Sequence, residues 1–170
     1  LLAAIVITDP IRENAVKAVS YFRNEDVDVK VISGDNPLTV SAVARKAGIR
    51  NADKYIDMSM ISDEDIPQVA REYTVFGRVR PEQKRTIVSS MQAEGHNVAM
   101  TGDGVNDLLA MKQADCSIAV GQGTDAARQT AQIVLLDSDF SKLRDVLSEG
   151  RRVVNNITKS AGVFFIKTIY

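Results

Sequence analysis

Short unbroken apolar runs alternate with helical periods along the whole chain. Residues 3–8 (AAIVIT) read as a buried strand, and residues 12–24 carry Val16, Val19 and Phe22 at helical spacing. Val27, Val29 and Val31 alternate through 27–33, and that strand runs into the turn Gly34-Asp35. Asn36 then caps a helix with Pro37 in its first turn, and Gly48 is the matching stop. The same strand, turn, helix unit recurs. Residues 74–79 precede Pro81 and a helix holding Ile87, Val88 and Met91; 97–101 precede a glycine-rich turn and the helix 107–114; 117–120 precede 121–129; 132–136 precede 139–149. Strands without polar interruption, separated by helices, imply an α/β, Rossmann-like fold with a mostly parallel sheet covered on both faces. Such sheets bind ligands beyond the carboxyl ends of their strands.

The turns after the strands are therefore the places for chemistry. Asp35 in SGDN and Asp103 in TGDGVND both stand just past a strand end, beside glycines that let a ligand approach the backbone. Helices start after both turns, so free N–H groups and positive dipole ends would favour a phosphate in the same crevice. Asp103 and Asp107, with Asn106, offer hard oxygens of the kind Mg²⁺ takes alongside waters and substrate phosphate. Lys84, in the first turn or so of the helix begun by Pro81, can neutralise charge on a transferring phosphoryl group. Each piece alone has a plainer reading: Asp-Gly as a turn, SGDN as a helix cap, Lys84 as a solvated side chain. A hairpin does not fit, because LLAMKQA lacks strand alternation, and an EF-hand loop does not, because Val105 stands where a ligand is needed. The ordered set, each member in strand-turn-helix context, is what points to a phosphoryl-transfer site.

Composition narrows the partners. With 170 residues and 45% hydrophobic content the chain is long enough for one domain with a real core. Its 21 Lys and Arg balance 22 Asp and Glu, so no global field would attract nucleic acid, and any anion site is local. One cysteine, Cys116, fits a reducing compartment. The terminal AGVFFIKTIY is interrupted by Lys167 and falls short of the ~20 residues of a membrane span. A start without Met and an apolar end suggest a piece of something larger. Gly150, before Arg151-Arg152, is the best boundary, dividing 1–150 from 151–170. His96 and Cys116 read as a surface loop residue and a small core residue, and the acidic stretch SDEDIP (62–67) as a solvated loop or helix start.

Taken together the motifs resemble the haloacid dehalogenase-like superfamily, and within it the phosphorylation domain of P-type cation-transporting ATPases. TGDGVND and its continuation LLAMKQADCSIAVGQGTDAA are similar to that family's hinge motif, ISGDN to its second phosphate-contacting motif, and RVRPEQK to the segment with its phosphate-binding lysine. DPIR (9–12) resembles a nucleotide-contacting segment, and the tail from Glu149 resembles a stalk leading into a transmembrane helix. The resemblance implies Mg²⁺ held by Asp103 and Asp107, with Asn106 in support. It implies phosphoryl contacts from Ser33, Gly34 and Lys84, and ATP near Asp9, Arg12, Asp35 and Arg78. Ser33 stands where the family usually has Thr, and DLLAMK departs from the usual Asp-Ala-Pro-Ala-Leu-Lys. It further implies a cytoplasmic domain of an integral membrane protein, most simply in the plasma membrane, that moves a cation, with calcium the family-based guess.

The family's phosphorylated aspartate lies in Asp-Lys-Thr-Gly-Thr, and no such string occurs here. Asp26 and Asp28 (DVDVK) open a strand rather than follow one, and Asp137 and Asp139 (DSDFS) come after the acidic motif in chain order, better placed to cap a helix. The chain is thus expected to be inactive alone, with the nucleophile strand and the nucleotide-binding, actuator and transmembrane domains elsewhere in the same polypeptide. The nucleophile strand would lie between the strands of 27–33 and 97–101. Without it their edges are expected either to pair directly or to be filled by another segment. The exposed apolar group Phe164, Phe165, Ile166 and Ile169 is expected to favour self-association. The alternatives are a free-standing phosphatase of the same superfamily and a non-catalytic Mg²⁺ or phosphate-binding module.

Overall fold

A computed structural model describes residue 11 and residues 13–137 and 139–169; the strand expected at 3–8, and Asp9 and Arg12, lie outside them. In chain order the elements are α1 (Glu13–Asn24), β1 (Val31–Ile32), α2 (Pro37–Lys46), β2 (Tyr55–Asp57), α3 (Ile66–Glu72), β3 (Val75–Gly77) and α4 (Pro81–Ala93). They continue as β4 (Ala99–Gly102), α5 (Leu108–Gln113), β5 (Cys116–Val120), α6 (Asp125–Thr130), β6 (Ile133–Leu135) and α7 (Leu143–Ile169). Single 3-10 turns stand at Met58–Met60, Val105–Asp107 and Phe140–Lys142.

Every strand pair is parallel, but the ladders form two halves, β1-β3-β2 and β4-β5-β6. Neither expected arrangement is formed among the described residues: β1 and β4 do not pair, no other segment fills the place between them, and each has a strand partner on one side only. What joins the halves is α4. Its Ile87 is buried with Met58, Ile66, Val69, Phe76 and Val79 of the first half, and the next residue, Val88, with Met100, Ala110, Met111, Ala119 and Ala127 of the second. Each of these two side chains contributes roughly 1.5–3 kcal/mol by its burial, so the helix is bonded about equally to both sides.

The opposite faces are also covered. Val75, adjacent to Phe76 and so on the other side of the pleat, packs with Val40, Ala44 and Ala52 around α2. Ile118, Leu135 and Leu143 pack with Phe22 of α1 and Phe140, whereas Val16 of α1 is exposed. The α2 helix is bounded as its sequence predicts. Asn36 Oδ1 accepts the Leu38 N–H at 2.9 Å, and Gly48 (φ 84°) closes the far end, with the Ile49 N–H donating to Ala44 O at 3.1 Å.

Three elements differ from expectation. The strand predicted over 27–33 is reduced to Val31–Ile32. Its neighbour β3 begins only at Val75, so residues 27–30 have no ladder to join, and Lys30 instead turns its ammonium to Ala70 O (2.8 Å) and Tyr73 O (2.6 Å) at the end of α3. Burial lowers the Lys30 pKa there. β2, too short to show a period, is present beyond the β3 edge and ends in the Met58–Met60 turn. α7 runs unbroken through Gly150 for 27 residues, about 40 Å, and its later turns expose Val154, Ile157, Val163, Phe165 and Ile166. Among the described residues no helix is long and apolar enough to cross a membrane.

Gly77, at the end of β3, lies against the start of α2: a Cβ there would sit 2.5 Å from both Pro37 N and Pro37 Cα. Those are backbone atoms that cannot rotate away. Gly77→Ala is expected to destabilise the chain by about 1–3 kcal/mol, read as a lower denaturant midpoint with an unchanged slope. An unshifted midpoint would mean that the start of α2 is not fastened at this point.

Candidate active site

The two motif turns occupy the carboxyl edges of the two half-sheets. In the first, the Asp35 N–H donates to Ser33 Oγ at 3.1 Å and the Ser33 hydroxyl donates to Asp35 Oδ2 at 3.2 Å. The loop is clamped from the end of β3: the Arg78 N–H donates to Asp35 O (2.8 Å) and the Val79 N–H to Ser33 O (3.0 Å). Arg78 takes φ 51° to make this clamp, an uncommon conformation for a side-chain-bearing residue. Gly34 has open space where a side chain would be, so its backbone is accessible from the crevice.

In the second half the loop after β4 is packed close. A Cβ on Gly102 would lie 2.5 Å from Asp107 Cβ, and one on Gly123 would lie 2.9 Å from Asp103 O. The Thr124 N–H donates to Asp103 O at 2.8 Å, bracing the loop against the start of α6. Asp107 is buried and faces two ways. Its Oδ2 accepts from the N–H groups of Asp103 (3.3 Å) and Gly104 (3.5 Å), and its Oδ1 accepts from Lys84 Nζ at 2.6 Å. Asp103 and Asn106 are exposed, and among the described residues the Asp103 carboxylate makes no hydrogen bond or ion pair.

The Lys84–Asp107 pair therefore ties the α4 start to the second half-sheet, with side chains only 11% and 12% exposed. Lys84 itself is placed by its neighbour Gln83, which is 1% exposed. Gln83 Oε1 accepts the Arg80 N–H at 3.1 Å, and its Nε2 donates to Met58 O at 3.2 Å. Among the described residues no group of three or more His, Cys, Asp or Glu could hold a metal ion. Mg²⁺ is commonly held by only one or two carboxylates together with waters and phosphate oxygens, and at this edge the Asp103 carboxylate is the one left without a partner among the described residues. Together the loops present a free carboxylate, accessible backbone N–H groups and a buried ammonium on one edge, as charge stabilisation of a phosphoryl group requires.

Ser33, Gly34, Asp35 and Arg78 thus share one loop system, and Lys84, Asp103, Asn106 and Asp107 a second joined to α4. Sequence reasoning missed Asp57 and Gln83. The signals were present: Asp-Met-Ser is a side-chain-capped turn pattern, and Gln83 sits three residues after Arg80, the capping-box spacing. His96 is exposed, as expected. Cys116 opens β5 half-buried, and burial raises its thiol pKa. A polar cavity of about 330 Å³ lies at the opposite strand ends, lined by Arg23, Lys30, Arg50, Lys54 and Arg71 among others. Arg23 and Arg71 sit in the last turns of α1 and α3, where cations complement helix dipoles.

The sequence model of the haloacid dehalogenase-like hydrolase family matches residues 1–115. The "Probable cation-transporting ATPase exp7" of Streptococcus pneumoniae is 52% identical over 169 residues, 99% of this chain and 22% of that protein. The "Calcium-transporting ATPase CtpE" of Mycobacterium bovis is 46% identical over 99% of this chain and 21% of its own length. The chain thus spans about a fifth of these relatives. Among solved structures, a zinc-transporting PIB-type ATPase in the E2.Pi state superposes with TM-score 0.71 at 28% identity, over 89% of this chain and 21% of that one. The catalytic domain of the CPx-ATPase CopB-B gives 0.63 at 26% identity, over 82% and 46%. The parallel half-sheets, the paired motif loops and these matches lead to one assignment: the chain belongs to the haloacid dehalogenase-like hydrolase family, among the domains of P-type cation-transporting ATPases.

Proposed function

We propose that this chain is the C-terminal part of the phosphorylation domain of an ATP-driven cation pump. The observation that carries the reading is the position of the Lys84–Asp107 pair and the open Asp103 carboxylate at the carboxyl edge of β4. β1 and β4 each have a free ladder edge among the described residues. A strand from elsewhere in the parent polypeptide, ending in Asp-Lys-Thr-Gly-Thr, would satisfy both and bring its aspartate to that edge.

In this reading the parent's aspartate attacks the γ-phosphorus of ATP. The bond from that phosphorus to the β,γ-bridging oxygen breaks, and ADP leaves; water later attacks the phosphorus and releases phosphate. The Ser33 hydroxyl and Gly34 N–H bind equatorial oxygens. Lys84, held by Asp107, neutralises their charge without leaving its buried position. Asp103 supplies the carboxylate for Mg²⁺, which when bound offsets charge on the transferring group. Asp107 fastens the Asp103 loop and would be the second carboxylate available to the metal, and Asn106 would support the metal and phosphate. Asp35 and Arg78 would face the nucleotide; Asp9 and Arg12, which the resemblance adds, lie outside the described residues. The name of the mycobacterial relatives favours calcium as the cargo, and the exposed face of α7 fits a stalk between a cytoplasmic domain and the membrane helices of the same polypeptide.

The test is Mg²⁺-dependent binding of beryllium fluoride, a phosphoryl mimic, to this chain and to a longer chain that includes the Asp-Lys-Thr-Gly-Thr segment. Binding is expected in the longer chain alone. Hydrolysis of a small aryl phosphate by the 170-residue chain would instead place the nucleophile within it and sink the proposal.

A further inference from the structure

Asp57 ends β2 on the same sheet edge as the Ser33–Asp35 loop, two strands away. Its Oδ1 accepts the Ser59 N–H (3.0 Å) and the Ser59 hydroxyl (2.6 Å), capping the Met58–Met60 turn. Oδ2 is left for Arg78, whose Nη1 donates to it at 2.8 Å. These contacts hold the Asp57 carboxyl below the usual carboxylate range, the Ser59 hydroxyl contributing most. The Arg78 backbone is already fixed at φ 51° by its clamp on Asp35 O. Its side chain, 51% exposed, is restrained at its tip by Asp57, itself 24% exposed.

We propose that Asp57 is a positioning residue that fixes the Arg78 guanidinium at the carboxyl edge of the first half-sheet, while the Arg78 backbone clamps the Ser33–Asp35 loop, and so raises the affinity of this edge for the nucleotide. The inference rests on the reading of Arg78 as a nucleotide-facing cation. A free arginine side chain loses rotamer freedom when it binds a phosphate, and an arginine already fixed by a carboxylate has lost that freedom beforehand. Asp57 acts through the orientation of another group, so its removal weakens substrate binding and leaves the chemical step intact.

Asp57→Asn is the informative change, because an asparagine oxygen still caps Ser59 and keeps the turn, while the charge that fixes Arg78 is gone. In the full-length pump, ATP hydrolysis is measured against ATP concentration for Asp57→Asn, Arg78→Met and the double variant. Arg78→Met is expected to raise KM about tenfold, and Asp57→Asn about three- to tenfold with kcat within about twofold. In the Arg78→Met background Asp57→Asn is expected to add nothing, since the two act as one unit. An unchanged KM in Asp57→Asn beside a raised one in Arg78→Met overturns the positioning role, as do effects that multiply in the double variant. If Arg78→Met itself leaves KM unchanged, the nucleotide-facing reading of Arg78 fails first and the positioning role falls with it.

Discussion

Replacing Lys84 by methionine is expected to destabilise the chain by about 3–5 kcal/mol, the usual cost of leaving one member of a buried ion pair without its partner. Lys84 Nζ and Asp107 Oδ1 are 2.6 Å apart, and neither side chain is more than 12% exposed. Methionine matches the lysine stem in volume, so the loss isolates the charge. Asp107 would lose Lys84 and keep only the two long N–H contacts of its own loop. The double variant Lys84→Met, Asp107→Asn is expected to regain more than half the loss, because asparagine can still accept those N–H groups and no charge stays buried. Urea unfolding of the three proteins decides it. A single variant within about 1 kcal/mol of the parent would show that solvent screens the pair, and α4 would then be tied to the second half by Val88 with its apolar neighbours and by the Gln92–Gln113 hydrogen bonds.

Asp103→Asn is expected to behave in the opposite way. Its carboxylate has no partner among the described residues and lies exposed, so stability should stay within about 0.5 kcal/mol. In the full-length pump, formation of the acid-stable phosphoenzyme from ATP should fall by about 10²–10³-fold, the size of effect seen when a preorganised electrostatic contact to a transferring group is removed. The Mg²⁺ concentration giving half-maximal rate should rise as well. A full rate with normal Mg²⁺ dependence would move the metal away from Asp103. A large stability loss would show that its carboxylate bears on the fold after all.

These two neighbours, four positions apart in one heptapeptide, are equivalent as letters. Reading TGDGVND as a site placed both carboxylates on the metal, and nothing in the string distinguishes an exposed acid from a buried one. The 3-10 turn at Val105–Asp107 rotates Asp107 inward beneath Gly102 and leaves Asp103 at the rim. The same limit applied to Lys84. Its spacing from Pro81 fixed its place on α4, whereas the direction of its ammonium depended on α5 lying beside α4. Asp57 went unread because the strand carrying it has three residues, too few for a period, and its partner Arg78 is 21 positions away.

Much of the architecture was nonetheless legible. Helix α2 could be bounded at both ends from Asn36-Pro37 and Gly48, because caps and left-handed glycines act within one turn of chain. The order of strands, turns and helices followed from apolar runs for the same reason. The length of β1 did not, because a strand extends only as far as its neighbour's ladder, and β3 starts late. The division of the sheet was likewise beyond a periodic pattern, which marks a segment as a strand without naming its neighbour.

By itself the sequence determined most of the segments that become strands and helices, though not β2, and marked the turns on which the proposed chemistry rests, since these depend on side chains a few positions apart. Only the tertiary structure decided that the ladders form two halves spanned by α4, that Asp107 serves Lys84 and the loop while Asp103 stays open, and that Asp57 holds Arg78. Each of those outcomes joins residues distant in the chain, through hydrogen bonds and burial that exist only once the layers have packed.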